Sequence, residues 1–298
     1  MLDKVSKWLL ARPANGVLGL MVVYSLPLVG VLSSAVLVLL VVKLGVRRAA
    51  LSAAAAAGLL AVAAMLGRGA ASITPVIVSL VSIWGPGFLL ALFLTSTRSL
   101  TLTVQVSVLV GFLALSLFFA VVADPVSFWQ QMLNDVAAAW RAQGVEQMGD
   151  VVAELLPYAE FMTLLMVVTL WVVHTGLFVL GYTWSRRISG DNVEYGRFVD
   201  LNLGKVIAAL MAAASLLAVL TSVMWAQNIA VFLFCVFWLH GLSVLHWLRT
   251  EERIPDALVL MTYAFLFVPF FSVFTVMVLA LAGYTDAWFD ARKRLARG

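Results

Sequence analysis

Long apolar runs separated by short polar segments dominate the chain. Six of these runs have the length of a transmembrane helix, about 20 residues for about 30 Å of hydrocarbon. Their apolar residues surround every face and do not alternate as in a barrel strand, so the pattern predicts an all-α bundle of transmembrane helices. The six runs are 48–66, 71–97, 100–122, 157–184, 204–225 and 228–248.

Two further apolar runs each contain a proline: Pro27 lies within 14–42 and Pro269 within 257–285. Proline lacks an N–H group and clashes with the preceding helical turn, so each run is either one kinked helix or two short helices joined by a turn. If both runs are single helices, the two sides of the membrane receive nine and ten of the 19 basic residues. If the chain turns at both prolines, one side receives 17 of them.

The second arrangement obeys the positive-inside rule, with only Arg68 and Arg141 on the outer side. We therefore predict about eight to ten membrane segments, including two short hairpins centred on Pro27 and Pro269, with both termini in the cytoplasm. Each hairpin arm has about 13–16 residues and a length of about 20–24 Å, so an arm either crosses as a short tilted helix or re-enters from one side.

We expect a single integral membrane domain over residues 1–298, in a bacterial cytoplasmic (inner) membrane. N-terminal helices occupy 14–122, an outer loop occupies 123–156 and C-terminal helices occupy 157–298. The outer loop opens with Asp124 and Pro125, a typical N-cap followed by proline at the first helical position. An amphipathic helix is predicted there because apolar residues recur at spacings of three and four. These apolar residues are Val126, Trp129, Leu133, Val136 and Trp140. The helix either covers a cavity as a lid or covers the ends of the spans.

The composition agrees with a membrane protein and limits the classes of partner that we expect. Apolar residues make up 63% of the chain and charged residues only 11%, against about 25% in soluble proteins. The lipid bilayer is therefore the first partner. The net charge of +4 comes from residues at the ends of the spans, which argues against nucleic-acid binding. Cys235 is the only cysteine, and no catalytic or nucleotide-binding motif is present, so we expect no enzyme activity, no cofactor and no metal site.

A few polar side chains lie within predicted spans, where they are costly and therefore candidates for function. We place Gln105, Glu160, His174 and His240 around a polar cavity that binds a small molecule or relays protons, with Trp225 as an aromatic wall. The alternative is hydrogen bonding between helices that serves packing alone.

Two cytoplasmic segments carry mixed charge. The 185–205 loop, which includes Arg197 and Phe198, is either an ordered linker or a docking site for a partner protein. In the C-terminal segment, Asp286, Asp290 and Arg294 follow one another at i,i+4 spacing, which predicts an ion pair at a helix end.

Three segments together resemble the YybS-like family of uncharacterised bacterial membrane proteins. They are "LPLVG" with a following helix that ends near "VRR", the loop "YGRFVDLNLGK", and the terminal "LAGYTDAWFDARKRLA". That family is distantly similar to the S-components of energy-coupling-factor vitamin transporters. The resemblance implies paired short helices near the N-terminus and a small-molecule-binding or transporter-subunit-like protein that lacks its own ATPase.

S-components dock to a membrane partner through small residues on their first helix. In this chain the matching stripe is Ala53, Ala57 and Ala61, on the predicted span 48–66 and not on the first arm. The sequence thus leaves two functional hypotheses. One is a small-molecule binder that works with an ATPase partner; the other is a non-transporting scaffold or assembly partner that docks through the 185–205 loop.

Overall fold

The computed structural model describes residues 2–188 and 195–295, and these residues form α-helices and short 3₁₀ turns with no strand among them. The helices are α1 Leu2–Ala11, α2 Pro13–Ser25, α3 Ser33–Leu44, α4 Val46–Arg68, α5 Ile73–Thr97, α6 Leu100–Val121, α7 Pro125–Ala142, α8 Glu146–Ala153, α9 Ala159–Ile188, α10 Gly204–Thr221, α11 Met224–Thr250, α12 Asp256–Phe267, α13 Pro269–Phe289 and α14 Ala291–Leu295. The predicted all-α fold is confirmed.

Seven of the helical segments are long and apolar enough to cross a bilayer, and three shorter apolar helices accompany them. The short ones are Pro13–Ser25, Gly30–Leu44 and Asp256–Phe267, which are arms of the two proline hairpins. Large apolar side chains are exposed along most of these helices, as required for contact with lipid. The chain is therefore a multi-pass integral membrane protein.

The chain divides into two compact units. The first contains Met1–Ser107 and Val172–Leu201, and the second contains Val108–Trp171 and Asn202–Gly298. The units are interleaved in sequence, because the chain leaves the first within α6 and returns to it within α9. Each unit is described separately below, and the single membrane domain stays a prediction.

In the first unit the chain reverses at Pro27. Leu26, which ends α2, is extended, as expected for a residue before proline. A Cβ atom at Gly16, early in α2, would lie 3.4 Å from the side chain of Leu40, late in α3. This pairing of an early residue with a late one requires two antiparallel arms. The predicted hairpin is therefore present, and Gly30 closes it, since a Cβ there would lie 2.6 Å from the carbonyl oxygen of Tyr24.

Helix α3 is the centre of the first unit. All nine residues from Ser33 to Val41 are buried, so this helix has no polar face and no lipid face. Its neighbours approach closely through small residues: a Cβ atom at Gly87 would strike the side chain of Ser34, and one at Gly181 would strike the backbone of Ala35. Trp84 donates from its indole nitrogen to the Ser33 hydroxyl at 2.8 Å.

In the second unit the chain reverses again at Pro269, the first residue of α13. His246, near the end of α11, contacts the hydroxyl of Tyr263 in the second half of α12 at 2.8 Å, so α12 runs back beside α11. The guanidinium of Arg253, just after α11, then donates to the carbonyl oxygen of Leu295 at 2.7 Å. Leu295 thus lies beside the C-terminal end of α11, which requires α13 to run back from Pro269. The second predicted hairpin is also present.

The predicted amphipathic loop between α6 and α9 contains α7 and α8. The Asp124 carboxylate accepts hydrogen bonds from the amide and the hydroxyl of Ser127, at 3.0 and 2.6 Å, which confirms the predicted N-cap. Trp129, Leu133 and Ala137 form the buried face of α7. The Trp129 indole donates to the Thr163 hydroxyl of α9 at 2.7 Å, so α7 is fixed to the bundle.

Candidate functional site

The five predicted ligand-binding residues are divided between the two units. Gln105 and His174 belong to the first unit, whereas Glu160, Trp225 and His240 belong to the second. Within the second unit, Trp225 and His240 are fifteen residues apart on α11, which corresponds to about 22 Å along the helix axis. A single cavity formed by all five stays a prediction.

Gln105 and His174 are both half-buried on helices of the first unit. Near them, the Thr175 hydroxyl on α9 donates to the Ser107 hydroxyl on α6 at 3.4 Å. The Nδ1 atom of His174 is buried, and the described residues offer it no hydrogen-bond partner. Glu160 lies in the first turn of α9 in the second unit, where its side chain is exposed.

His240 belongs to a buried polar cluster where α11 and α13 pack together. Its Nε2 atom lies 3.0 Å from Oδ2 of Asp286, and Arg292 contacts the same carboxylate oxygen through Nη2 at 2.8 Å and Nε at 2.9 Å. The backbone amide of Arg292 donates to Oδ1 at 3.0 Å. Nε2 of His240 also lies 3.0 Å from Nη2 of Arg292, so this nitrogen donates to Asp286 in one tautomer and accepts from Arg292 in the other.

Two glycines allow this cluster to form. A Cβ atom at Gly241 would strike the backbone of Leu279, and one at Gly283 would lie 2.7 Å from the amide nitrogen of Gly241. The backbones of α11 and α13 therefore touch directly, as small residues permit in membrane helix pairs. The cluster is enclosed by this contact: His240 is completely buried and Asp286 is 1% exposed.

The predicted ion pair at the end of α13 forms with other partners. Asp290 has left-handed backbone dihedral angles (φ 48°, ψ 48°) that end α13, so the i,i+4 relation beyond it is lost. Asp286 pairs with Arg292. Asp290 pairs with Lys293 at 3.2 Å, although Arg294 was its predicted partner. Arg292 was missed because its contact with Asp286 requires a chain reversal that helical spacing does not reveal. The described residues contain no group of histidine, cysteine and acidic side chains that could hold a metal ion.

An open cleft in the second unit contains the remaining candidate, Trp225. It lies where α6 ends and α7 and α11 begin, and its volume is about 670 Å³. Its wall is mostly apolar, and the lining residues include Ser116, Phe119, Asp124, Val126, Met224 and Trp225. Among the described residues, no lysine or arginine lines it. The cleft thus combines an aromatic wall with one carboxylate.

The carboxylate of Asp124 is charged at neutral pH. The hydroxyl of Ser127, and then its amide, donate to this group and lower its pKa below the ordinary value near 3.8. Two hydrogen bonds leave about half of the lone-pair sites of the carboxylate available. Asp124 was predicted as a helix cap, and its place in the cleft was missed because Trp225 is distant in sequence.

The two predicted docking sites lie in the first unit. Arg197 is exposed and forms a bidentate ion pair with Asp200, at 2.7 and 2.9 Å, beside the half-buried Phe198. The preceding residues are held by two hydrogen bonds: Tyr182 donates to the carbonyl of Gly196 at 2.6 Å, and the amide of Leu100 donates to that of Tyr195 at 2.7 Å. Residues 189–194 of the predicted loop lie outside the described residues.

The alanine stripe on α4 is half-buried at Ala53, Ala57 and Ala61. The fully buried positions of this helix are Ala49, Ser52 and Ala56, on the neighbouring face. The stripe therefore lies at the edge of the packed face of α4.

Comparison with known proteins gives no match: no protein-family model, no curated protein and no solved structure matches this chain.

Proposed function

We propose that this integral membrane protein binds a small molecule in the cleft formed by the end of α6 and the beginnings of α7 and α11. The proposal rests on the shape and the lining of that cleft. Its volume of about 670 Å³ falls within the range of about 300–1,000 Å³ that is typical of ligand sites. A largely apolar wall with few polar groups is also typical, since apolar contact supplies affinity and the polar groups orient the ligand.

The arrangement of α7 supports a pre-formed site. The hydrogen bond from Trp129 to Thr163 and the N-cap formed by Asp124 hold the beginning of this helix in place. The ion pair between Arg141 and Asp150 holds α7 against α8 at its other end. A fixed wall reduces the ordering cost that a ligand would otherwise meet on binding. Helix α7 is therefore a wall of the site more than a moving lid.

We further propose that the protein acts as a subunit of a transport system, like the S-components that its motifs resemble. The chain carries no nucleotide-binding motif, so active transport requires an ATPase partner or an ion gradient. Membership of the YybS-like family, a bacterial inner membrane and cytoplasmic termini belong to the same proposal. Gentle extraction followed by native mass spectrometry tests it, because a retained ligand or ATPase appears directly as added mass.

Ligand binding is tested by thermal unfolding of the purified protein with a panel of metabolites. We expect at least one compound to raise the melting temperature, and the Trp225→Ala substitution to remove that shift. Trp238→Ala is the matched control, because Trp238 is also a half-buried tryptophan on α11 and does not line the cleft. Equal losses in both variants, or no shift with any compound, would contradict binding in the cleft.

The proposed orientation is tested by cysteine labelling. In a Cys235→Ala background, a cysteine in place of the exposed Gln143 should react with a membrane-impermeant maleimide added to intact cells. A cysteine in place of the exposed Lys293 should react only after the cells are opened. The reverse pattern would show that the termini face outwards.

A scaffold role is the second candidate, and the fixed conformation of residues 195–201 favours it. Arg197 is presented at the surface on a segment that two hydrogen bonds hold in place, which suits recognition by a partner protein. Affinity capture from the native host should then lose a specific partner in the Arg197→Ala and Phe198→Ala variants. An unchanged set of captured proteins would count against this role.

A further inference from the structure

The charge of the cleft narrows the class of ligand that it can accept. Among the described residues, Asp124 is the only one in the lining with a charged side chain, and Ser116 contributes a hydroxyl. Phe119 and Trp225 place two aromatic rings in the same wall. A ligand that fills the cleft therefore covers apolar surface and meets one negative charge.

Three kinds of ligand can be compared on this basis. An anion would meet the Asp124 carboxylate without any lysine or arginine in the lining to bind it. A neutral apolar molecule would contact the apolar wall and gain nothing from the exposed Asp124 carboxylate. A cation with an apolar body satisfies both parts of the wall, because the carboxylate neutralises its charge and aromatic faces attract it.

We propose, on the basis of the proposed function, that the ligand is an organic cation: an apolar body that carries a quaternary or protonated amine. The amine faces Asp124, and the apolar body lies against Phe119 and Trp225. Quaternary ammonium groups are bound in this way by aromatic side chains in general. An ammonium group can reach the cleft from a free metabolite or from the headgroup of phosphatidylethanolamine, and both supply the same chemistry.

The experiment uses the full-length protein in nanodiscs of phosphatidylglycerol. Benzyltrimethylammonium is the cationic probe, and benzyl alcohol and phenylacetate are its neutral and anionic counterparts of similar size. Binding of each compound is measured by equilibrium dialysis. We expect the cation to bind about threefold more tightly than either counterpart, the order of one exposed ion pair.

The variants separate the charge of Asp124 from its role as a helix cap. Asn caps helices about as well as Asp, so Asp124→Asn removes the charge and keeps the cap. We expect this variant to lose about threefold in affinity for the cation. Asp135→Asn is the matched control, because it removes an exposed acid on α7 that lies outside the cleft. It should bind the cation as the wild type does.

The source of the amine is tested by adding phosphatidylethanolamine to the nanodiscs. Weaker binding of the cationic probe would identify the lipid headgroup as the occupant, and unchanged binding would identify a free cation; either result supports a cation site. The inference is overturned if benzyl alcohol or phenylacetate binds as tightly as the cation, or if Asp124→Asn has no effect. In those cases, a ligand-induced thermal shift that Trp225→Ala removes would still support the proposed function. No binding by any probe, together with no thermal shift in the metabolite panel, would overturn both.

Discussion

The hairpins at Pro27 and Pro269 each place an extended residue before the proline and have opposite surroundings. In the first, the arm after the proline is α3, which is buried on every side. In the second, Phe267 and Phe270 on either side of the proline are 86% and 84% exposed. Both arms are similarly apolar in sequence. The difference shows that proline and hydropathy determine where the chain turns, whereas small residues on neighbouring helices determine whether an arm is enclosed by protein.

The interactions that stabilise the two hairpins also differ. Close backbone approach at Gly87 and Gly181 encloses α3, with the indole of Trp84 as its polar anchor. The second hairpin contacts its unit along one face of α13, through Gly283 and the charged pair of Asp286 and Arg292. Apolar packing therefore dominates in the first hairpin and a buried ion pair in the second. Three sets of substitutions test this comparison.

The largest effect is expected for Asp286→Ala in the second hairpin. It leaves the buried guanidinium of Arg292 without its carboxylate, and removal of one partner of a buried ion pair costs about 3–5 kcal/mol. The free energy of unfolding, measured by denaturant titration in detergent micelles, should fall by that amount. Asp256→Ala is the control, since its ion pair with Arg249 is exposed and should contribute little. If the two variants are equally stable, the buried pair does not stabilise the second hairpin.

The second test compares apolar truncation in the two hairpins. Leu39 of α3 is completely buried, so Leu39→Ala should cost about 2–5 kcal/mol through lost contacts and a cavity. Phe270→Ala removes a larger side chain that is mostly exposed, and the free energy of unfolding should change much less. The same denaturant titration measures both. A greater loss for Phe270→Ala would reverse the comparison.

The smallest effects are expected for two glycine substitutions, one in the first turn and one in a helix. A Cβ atom at Gly30 would lie too close to the backbone of Tyr24, so Gly30→Ala should destabilise the first hairpin by about 1–3 kcal/mol. Gly58 on α4 has no atom within 4 Å of the corresponding position, and Gly58→Ala should stabilise the helix by about 0.5–1 kcal/mol. Opposite signs are expected in thermal unfolding. A stabilising Gly30→Ala would show that the turn tolerates a side chain.

Much of the fold could be predicted from the sequence, because the signals are strong and local. Charge asymmetry and the lack of an N–H group in proline predicted both reversals, and Asp124 with Pro125 predicted the beginning of α7. The complete burial of α3 could not be predicted. An apolar helix has the same composition whether lipid or protein surrounds it, and only the packing of Gly87 and Gly181 decides between them.

The candidate site was harder to predict, because it depends on contacts between distant residues. Trp225 was chosen for its aromatic character, but the carboxylate that lines the same cleft is a hundred residues away, at Asp124. His240 was chosen because an ionisable side chain within a span is costly, yet Arg292 reaches its cluster only beyond the left-handed residue Asp290. Helical spacing carries information about neighbours within one helix and none about a chain that turns back.

The reversal at Asp290 also determines how the end of the chain can be used. It directs α14 back towards α11, where the carbonyl of Leu295 accepts a hydrogen bond from Arg253. A fluorescent reporter attached to a cysteine in place of the exposed Lys293 would thus lie within two residues of an anchored point. A short rigid linker would transmit the orientation of that point to the reporter, which makes α14 suited to distance measurements by energy transfer.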